Sequence, residues 1–190
     1  MHNNFFKRGN CMIQIKYFVH GTTTDNLDKK ATGWLGGNLS EKGISQAHAL
    51  KEIIKEEYFD IVFCSDLKRA IESSKINFEG RDIQIVQDAR LRECNYGDYN
   101  GKDRKFADYF SHIEERFPNG ENMYDVQNRI GDFIKFLKKN HDNKKVAIVA
   151  HKASQLALEV LLNGKSWMQA LETDWRKTGA WQPGWNYTIN

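Results

Sequence analysis

Two histidines, one arginine and one glutamate have the residue types and chain positions that phosphoryl transfer needs. His20 follows the apolar run IQIKYFV, and His151 follows the run KVAIVA. Arg69 lies in the segment SDLKRA, next to a third such run, DIVFCS. A neutral imidazole can attack phosphorus, while a second histidine and an arginine hold the phosphoryl oxygens. The leaving oxygen then needs a proton from a carboxylic acid, for which Glu93 is the candidate.

Each of these residues also has a purely structural explanation. A histidine after a strand can cap that strand, and an arginine usually lies solvated on the surface. Two histidines at the ends of two parallel strands, however, meet at one edge of the sheet, where ligands bind in such folds. Together with Arg69, they predict a site for a phosphate dianion at that edge.

Strand-like and helix-like runs alternate along the chain. The predicted strands are residues 13–19, 60–65, 83–86 and 145–150, with a last extended segment at 185–189. The predicted helices are residues 40–57, 66–76, 121–140, 154–162 and 166–176. Strands separated by helices predict a mainly parallel sheet covered on both faces. We therefore expect an α/β fold, a three-layer α/β/α sandwich, in which the final strand can run antiparallel.

The composition is that of a soluble globular protein, because 40% of the 190 residues are hydrophobic and 28% are charged. We expect a flexible tail over residues 1–12 and a single domain over residues 13–190. A net charge of +3 is too small to indicate nucleic-acid binding, and no apolar run is long enough to cross a membrane. Three unpaired cysteines without a signal peptide favour the cytoplasm.

Five segments resemble, in order, the motifs of the histidine phosphatase superfamily, which contains the cofactor-dependent phosphoglycerate mutases and many small phosphatases. The first is HGTTTDNLDKKATGWLGGNLSEKG, residues 20–43. The others are SDLKRA, LRE with the following YGDYNG, FPNGE, and VAIVAH. The resemblance covers residues 13–162 and implies a phosphoglycerate mutase-like fold.

The resemblance implies that His20 is the nucleophile of a phosphate monoester hydrolase and forms a phosphohistidine. It also implies that Glu93 is the general acid and that Arg69 and His151 hold the phosphoryl group. Further phosphate or substrate contacts are expected from Gly21, Thr23, Asn26, Thr32, Gly33 and Lys152. Neither a metal nor another cofactor is expected, because the fixed cations replace it. The expected partner is a phosphorylated small molecule.

Two departures from the family pattern bear on phosphate binding. Val19 stands where the family has arginine, so one phosphate-binding guanidinium is missing from the motif. Lys152 stands where the family usually has glycine, and it is either a solvent-facing lysine or a compensating cation. The first departure leaves open a weakened relative that binds a phosphorylated ligand or a protein partner.

A phosphoglycerate mutase-type phosphotransferase is the other alternative, because Thr32 and Gly33 resemble the mutase substrate loop. The segment between Glu93 and Glu121 is too short for the long insertion of the mutases, which favours a phosphatase. No motif in the chain predicts the natural substrate or the oligomeric state.

Overall fold

The computed structural model describes residues 12–177 and 184–190, and the strands within these ranges form one five-stranded sheet. The strands are β1 (Ile13–Val19), β2 (Ile61–Cys64), β3 (Ile85–Gln87), β4 (Lys145–Ala150) and β5 (Trp185–Ile189). Their order across the sheet is β3-β2-β4-β1-β5. Neighbours among β1 to β4 are parallel, and β5 lies antiparallel to β1. The predicted tail lies outside the described residues except for Met12.

The helices follow the predicted order, with differences at their ends. They are α1 (Thr24–Leu27), α2 (Glu41–Ile54), α3 (Lys68–Asn77), α4 (Met123–Asn140), α5 (Lys152–Asn163) and α6 (Trp167–Glu172). Ser40 caps α2 by accepting the N–H of Gly43, and Ser166 forms a capping box with Gln169 in α6. The short helix α1 has no hydrophobic periodicity and was not predicted. Short 3-10 turns lie at Ala89–Leu91, Gly97–Tyr99, Arg104–Phe106 and Trp175–Lys177.

Two separate apolar clusters lie on the two faces of the sheet. Successive strand residues alternate between them, as strand geometry requires, so that Tyr17 belongs to one cluster and Phe18 to the other. On the face of Phe18, the helix residues Leu50 and Ile54 of α2 pack against the sheet. On the other face, the packing residues come from α4, α5 and α6. The expected three-layer α/β/α sandwich is confirmed. None of the helices in the described ranges is apolar and long enough to span a membrane.

The parallel pairing of β1 and β4 determines where the two candidate histidines lie. Val19, the last residue of β1, is opposite Ala150, the last residue of β4. His20 and His151 therefore leave the sheet side by side at its carboxyl edge, as the sequence predicted. The backbone N–H of His20 also donates to the carbonyl of Ala150 over 3.0 Å, which extends the pairing by one residue.

Two glycines allow the loop after β1 to pack directly on the first turn of α2. A Cβ atom on Gly21 would lie 2.4 Å from the carbonyl oxygen of Gly43. A Cβ atom on Gly43 would lie 2.1 Å from the carbonyl oxygen of Thr22. Both distances are far below van der Waals contact, so this packing requires glycine at both positions. The backbone beside His20 is thereby held against a helix.

Candidate active site

The ring of His20 is held in one tautomer. Its Nδ1 lies 2.7 Å from the carbonyl oxygen of Gly21. Because a carbonyl only accepts, Nδ1 carries the proton and Nε2 keeps its lone pair. Burial, and after it the nearby Arg69 guanidinium, lower the pKa of His20 to about 3. The imidazole is therefore neutral at physiological pH, which is the form that attacks phosphorus.

His151 lies against His20, and its backbone is anchored to β1. The two ring centroids are 5.0 Å apart in an edge-on arrangement. The hydroxyl of Tyr17 accepts the N–H of His151 over 2.9 Å and donates to its carbonyl over 2.8 Å. His151 is fully buried, and neither ring nitrogen has a hydrogen-bond partner among the described residues. Burial holds the pKa of His151 well below its usual value.

Arg69 forms hydrogen bonds both to His20 and to the loop that follows α1. It projects from α3 and is 2% exposed, which is unusual for an arginine. Its Nε–H donates to Nε2 of His20 over 3.3 Å. Its two terminal nitrogens donate to the carbonyls of Gly33, over 2.7 Å, and Leu35, over 2.9 Å. The guanidinium is thus held in place before any ligand arrives.

Glu93 is held by three hydrogen bonds to one of its carboxylate oxygens. Oε1 accepts from the backbone N–H of Cys94 at 2.9 Å and from that of Ala153, in the first turn of α5, at 3.0 Å. The hydroxyl of Tyr109 donates to the same oxygen over 3.0 Å and pairs with the hydroxyl of Tyr96 at 2.7 Å. Among the described residues nothing donates a hydrogen bond to Oε2. Hydrogen bonds therefore anchor Oε1 and, within the described ranges, leave Oε2 unengaged.

A cavity of about 590 Å³ brings most of the predicted residues together. The predicted residues that line it are His20, Gly21, Asn26, Thr32, Gly33, Arg69, Glu93 and Lys152. Two predicted residues, His151 and Thr23, are fully buried and lie behind this lining. Val19 lines the cavity as well, so an uncharged side chain occupies the end of β1.

Thr23 and Asn26 have a structural task that the sequence analysis did not foresee. They form a capping box at the start of α1, in which Oγ1 of Thr23 accepts from the N–H of Asn26. Oδ1 of Asn26 accepts in return from the N–H of Thr23 over 3.0 Å. A ligand contact by Asn26 would therefore come from its Nδ2 donor. The neighbouring Thr22, which was not predicted, lines the cavity in place of Thr23.

Lys152 belongs to a charged group that the sequence did not reveal. Its Nζ lies 3.1 Å from Oδ2 of Asp174 and 4.9 Å from the centre of the Tyr109 ring. The other oxygen of Asp174 lies 2.7 Å from Nη1 of Arg176, and Asp174 itself is 5% exposed. Both Asp174 and Arg176 line the cavity.

Sequence analysis missed several residues of the cavity, among them Tyr109, Asp174 and Arg176. Tyr109 lies between two recognisable motifs, in a segment without periodicity. The other two lie beyond residue 162, where the motif resemblance ends. No local signal marks any of them, because folding alone brings them to the site. Within the described ranges, no three His, Cys, Asp or Glu side chains are grouped so as to hold a metal ion.

Comparison with known proteins identifies relatives of this chain. Phosphoserine phosphatase 1 of Hydrogenobacter thermophilus is 26% identical over 163 residues, which cover 80% of this chain and 77% of the relative. A 2,3-bisphosphoglycerate-dependent phosphoglycerate mutase of Beijerinckia indica is 31% identical over 76% of this chain and 78% of its own. The crystal structure of the alpha-ribazole phosphatase from Shigella flexneri is 25% identical, with a TM-score of 0.74 over 84% of both chains.

The family model of the histidine phosphatase superfamily (branch 1) matches residues 18–182. That span contains the two histidines at the sheet edge, the buried Arg69 and the anchored Glu93. The solved relatives show that the sheet and its covering helices have the phosphoglycerate mutase-like fold expected from the sequence. The chain belongs to the histidine phosphatase superfamily.

Proposed function

We propose that this protein is a metal-independent phosphate monoester hydrolase that works through a phosphohistidine at His20. The observation that carries the proposal is the state of the His20 ring. Its Nδ1 is bonded to the Gly21 carbonyl, and the Nε2 lone pair lies in the cavity beside Arg69. A neutral, oriented imidazole next to a fixed cation is what attack on a phosphate dianion requires.

In the first step, Nε2 of His20 attacks phosphorus and the P–O bond to the leaving group breaks. Glu93, in its carboxylic acid form, donates its proton to the leaving oxygen through Oε2. The Nδ1–H bond to the Gly21 carbonyl, 2.7 Å long, stabilises the positive charge that develops on the imidazole. Arg69, His151 and the Nδ2 amide of Asn26 hold the non-bridging oxygens.

In the second step, water attacks phosphorus and the P–N bond breaks, so the electron pair returns to Nε2. The Glu93 carboxylate accepts the proton from that water and is ready for the next cycle. The backbone N–H groups of Cys94 and Ala153 hold the carboxylate in position for this step through Oε1. Inorganic phosphate then leaves the cavity.

Fixed positive charge around the cavity supports the proposal that the reaction needs no metal ion. The cationic side chains that line it among the described residues are Lys30, Arg69, Arg104, Lys152, Arg176 and Lys177. Guanidinium and ammonium groups can neutralise a phosphoryl group in the way a metal ion otherwise does. A small phosphorylated molecule fits the volume of the cavity. A cytoplasmic location and the lack of nucleic-acid or membrane partners stay predictions from the sequence.

Hydrolysis is favoured over phosphoglycerate mutase activity by the segment between Glu93 and α4. This segment holds short 3-10 turns, Gly97–Tyr99 and Arg104–Phe106, and closes against Glu93 through the hydroxyl of Tyr109. It contains no long insertion to cover a second substrate. Transfer of the phosphoryl group to a phosphoglycerate is therefore not expected. Adding a phosphoglycerate to the assay tests this directly.

The test is hydrolysis of an aryl phosphate between pH 5 and 8 in the presence of a chelator. Wild type, His20→Ala and His48→Ala are compared, because His48 is an exposed histidine on α2. We expect turnover in the wild type and in His48→Ala, loss in His20→Ala, and an acid-labile phosphate trapped on wild-type His20.

Equal turnover in His20→Ala would contradict the mechanism, and turnover that requires an added metal would contradict metal independence. If the wild type is silent but Val19→Arg is active, the natural protein is the weakened relative that binds without turnover. Phosphate transfer to a phosphoglycerate in preference to water would instead favour the mutase.

A further inference from the structure

The catalytic histidines and their immediate neighbours carry less positive charge than a phosphate dianion needs. Burial keeps both His20 and His151 neutral, since the pKa of each lies below its usual value. Arg69 contributes one positive charge, but three of its N–H directions already bond to His20, Gly33 and Leu35. At the end of β1 stands Val19, which has no charge to add. These residues therefore contribute one positive charge towards a dianion with charge near −2, and other cations of the cavity must supply the rest.

A second guanidinium reaches the same cavity from the C-terminal part of the chain. Arg176 lies in the 3-10 turn Trp175–Lys177 and lines the cavity together with His20 and Val19. Its guanidinium is 5.3 Å from the centre of the Trp185 ring. Trp185 is paired with Tyr17 in the sheet, and the two rings meet edge-on at 6.4 Å. The turn is thereby placed beside the end of β1, where His20 begins.

Asp174 orients this guanidinium without cancelling the local positive charge. Its Oδ1 accepts from Nη1 of Arg176 at 2.7 Å and from the Arg176 backbone N–H at 3.1 Å. Its Oδ2 pairs with Lys152 at 3.1 Å. Burial opposes ionisation of Asp174, but the two cations outweigh it and lower its pKa. Two cations and one carboxylate leave the group with a net charge of +1.

The electrostatic effect of Arg176 also reaches the nucleophile. After burial and Arg69, the positive charge of Arg176 contributes to the lowered pKa of His20. A cation that repels a proton from His20 will attract an anion bound at the same place.

We infer that Arg176, oriented by Asp174, is the second phosphate-binding guanidinium of the site and takes the place of the arginine missing at position 19. The inference rests on the proposed function, since the ligand is the non-bridging oxygens of the phosphate monoester. An arginine can donate two parallel N–H bonds to such oxygens, whereas the Lys152 ammonium offers a point charge. The residue that the family pattern places on β1 is therefore supplied by a distant segment of the chain.

The first experiment measures the affinity for inorganic phosphate by titration calorimetry. Arg176→Ala is compared with wild type and with Arg116→Ala, because Arg116 is an exposed arginine paired with Asp125 outside the cavity. Loss of a charge-assisted hydrogen bond predicts roughly 10- to 100-fold weaker binding in Arg176→Ala. Arg116→Ala should bind as the wild type does. Unchanged affinity in Arg176→Ala would overturn the inference.

A rescue experiment separates phosphate binding from a merely structural role of Arg176. The double variant Val19→Arg/Arg176→Ala places a guanidinium at the end of β1 and removes the one from the C-terminal turn. We expect it to recover phosphate affinity and turnover relative to Arg176→Ala alone, with Arg176→Lys intermediate. If Arg176 only held the turn in place, the double variant would stay as weak as the single one, which would overturn the inference.

The same variants distinguish this inference from the proposed function. Loss of phosphate affinity in Arg176→Ala supports the inference whether or not the protein turns over. If His20→Ala still hydrolyses the substrate, the phosphohistidine mechanism is contradicted. The comparison of phosphate affinities between wild type and Arg176→Ala remains valid in that case. A wild type that binds no phosphate overturns both.

Discussion

The Nε–H of Arg69 donates to Nε2 of His20 across 3.3 Å, so the lone pair on that nitrogen accepts a hydrogen bond from a cation. This arrangement disfavours protonation of His20 and keeps its ring oriented. In the proposed mechanism, an incoming phosphate takes over this N–H of Arg69 before Nε2 attacks. The same arginine would then bind the phosphoryl oxygens.

Removing this cation should make His20 more basic. In Arg69→Ala, we expect the pKa of His20 to rise from about 3 towards its ordinary value, since the positive charge of Arg69 is the largest cause of the shift after burial. The measurement is an NMR titration of the imidazole nitrogens. Arg116→Ala serves as the control, and an unchanged His20 titration in Arg69→Ala would contradict this role.

Glu93→Gln should separate substrates by their leaving groups. The amide keeps the shape of the side chain but cannot protonate the leaving oxygen. We expect kcat to fall roughly 10²- to 10⁴-fold for an alkyl phosphate, and much less for a nitrophenyl phosphate, whose leaving oxygen needs no proton. The ratio of the two kcat values is the readout. An equal loss on both substrates would mean that Glu93 does not act as the general acid.

The lowered pKa of His20 makes the folded protein sensitive to acid. Between about pH 6.5 and 3, the unfolded chain binds a proton on this histidine and the folded protein does not. The free energy of unfolding therefore falls as the pH falls through this window. We expect the wild type to lose about 1–2 kcal/mol more than His20→Ala between pH 7 and pH 5.

Urea denaturation at the two pH values measures this difference. His48→Ala is the matched control, because it removes an exposed histidine on α2, away from the cavity. Parallel stability curves for wild type and His20→Ala would show that His20 is not held neutral by the fold.

Two glycine-to-alanine variants should have opposite effects. In Gly21→Ala, the new methyl group would lie 2.4 Å from the Gly43 carbonyl oxygen. The loop must shift, and we expect a loss of about 1–3 kcal/mol of stability together with most of the turnover. In Gly131→Ala, nothing lies within 4 Å of the new group in the middle of α4. The free energy of unfolding of this variant should rise by about 0.5–1 kcal/mol, because alanine has the higher helix propensity. Thermal unfolding of both variants measures these changes, and a change of the same sign in both would contradict the prediction.

Much of the sheet and its histidines could be predicted from local pattern. The apolar runs that became β1 and β4 have the length and composition of buried strands, so His20 and His151 were expected at one edge. Parallel pairing requires that outcome once both runs are strands. The short helix α1 was not predicted, because none of its four side chains is buried and it therefore shows no hydrophobic periodicity. A capping box at its N-terminus stabilises it instead.

The sequence by itself determined the family and the order of the elements, and it predicted that His20, Arg69 and Glu93 share one site, where all three line the cavity. These follow from motifs in which the chemistry and the local backbone geometry lie within a few residues of each other. Only the tertiary structure decided what surrounds them. Tyr109 donates a hydrogen bond to Glu93 from 16 residues away. Arg176, from the C-terminal part of the chain, lines the same cavity as His20. Such contacts depend on how distant segments pack, and no local pattern encodes them.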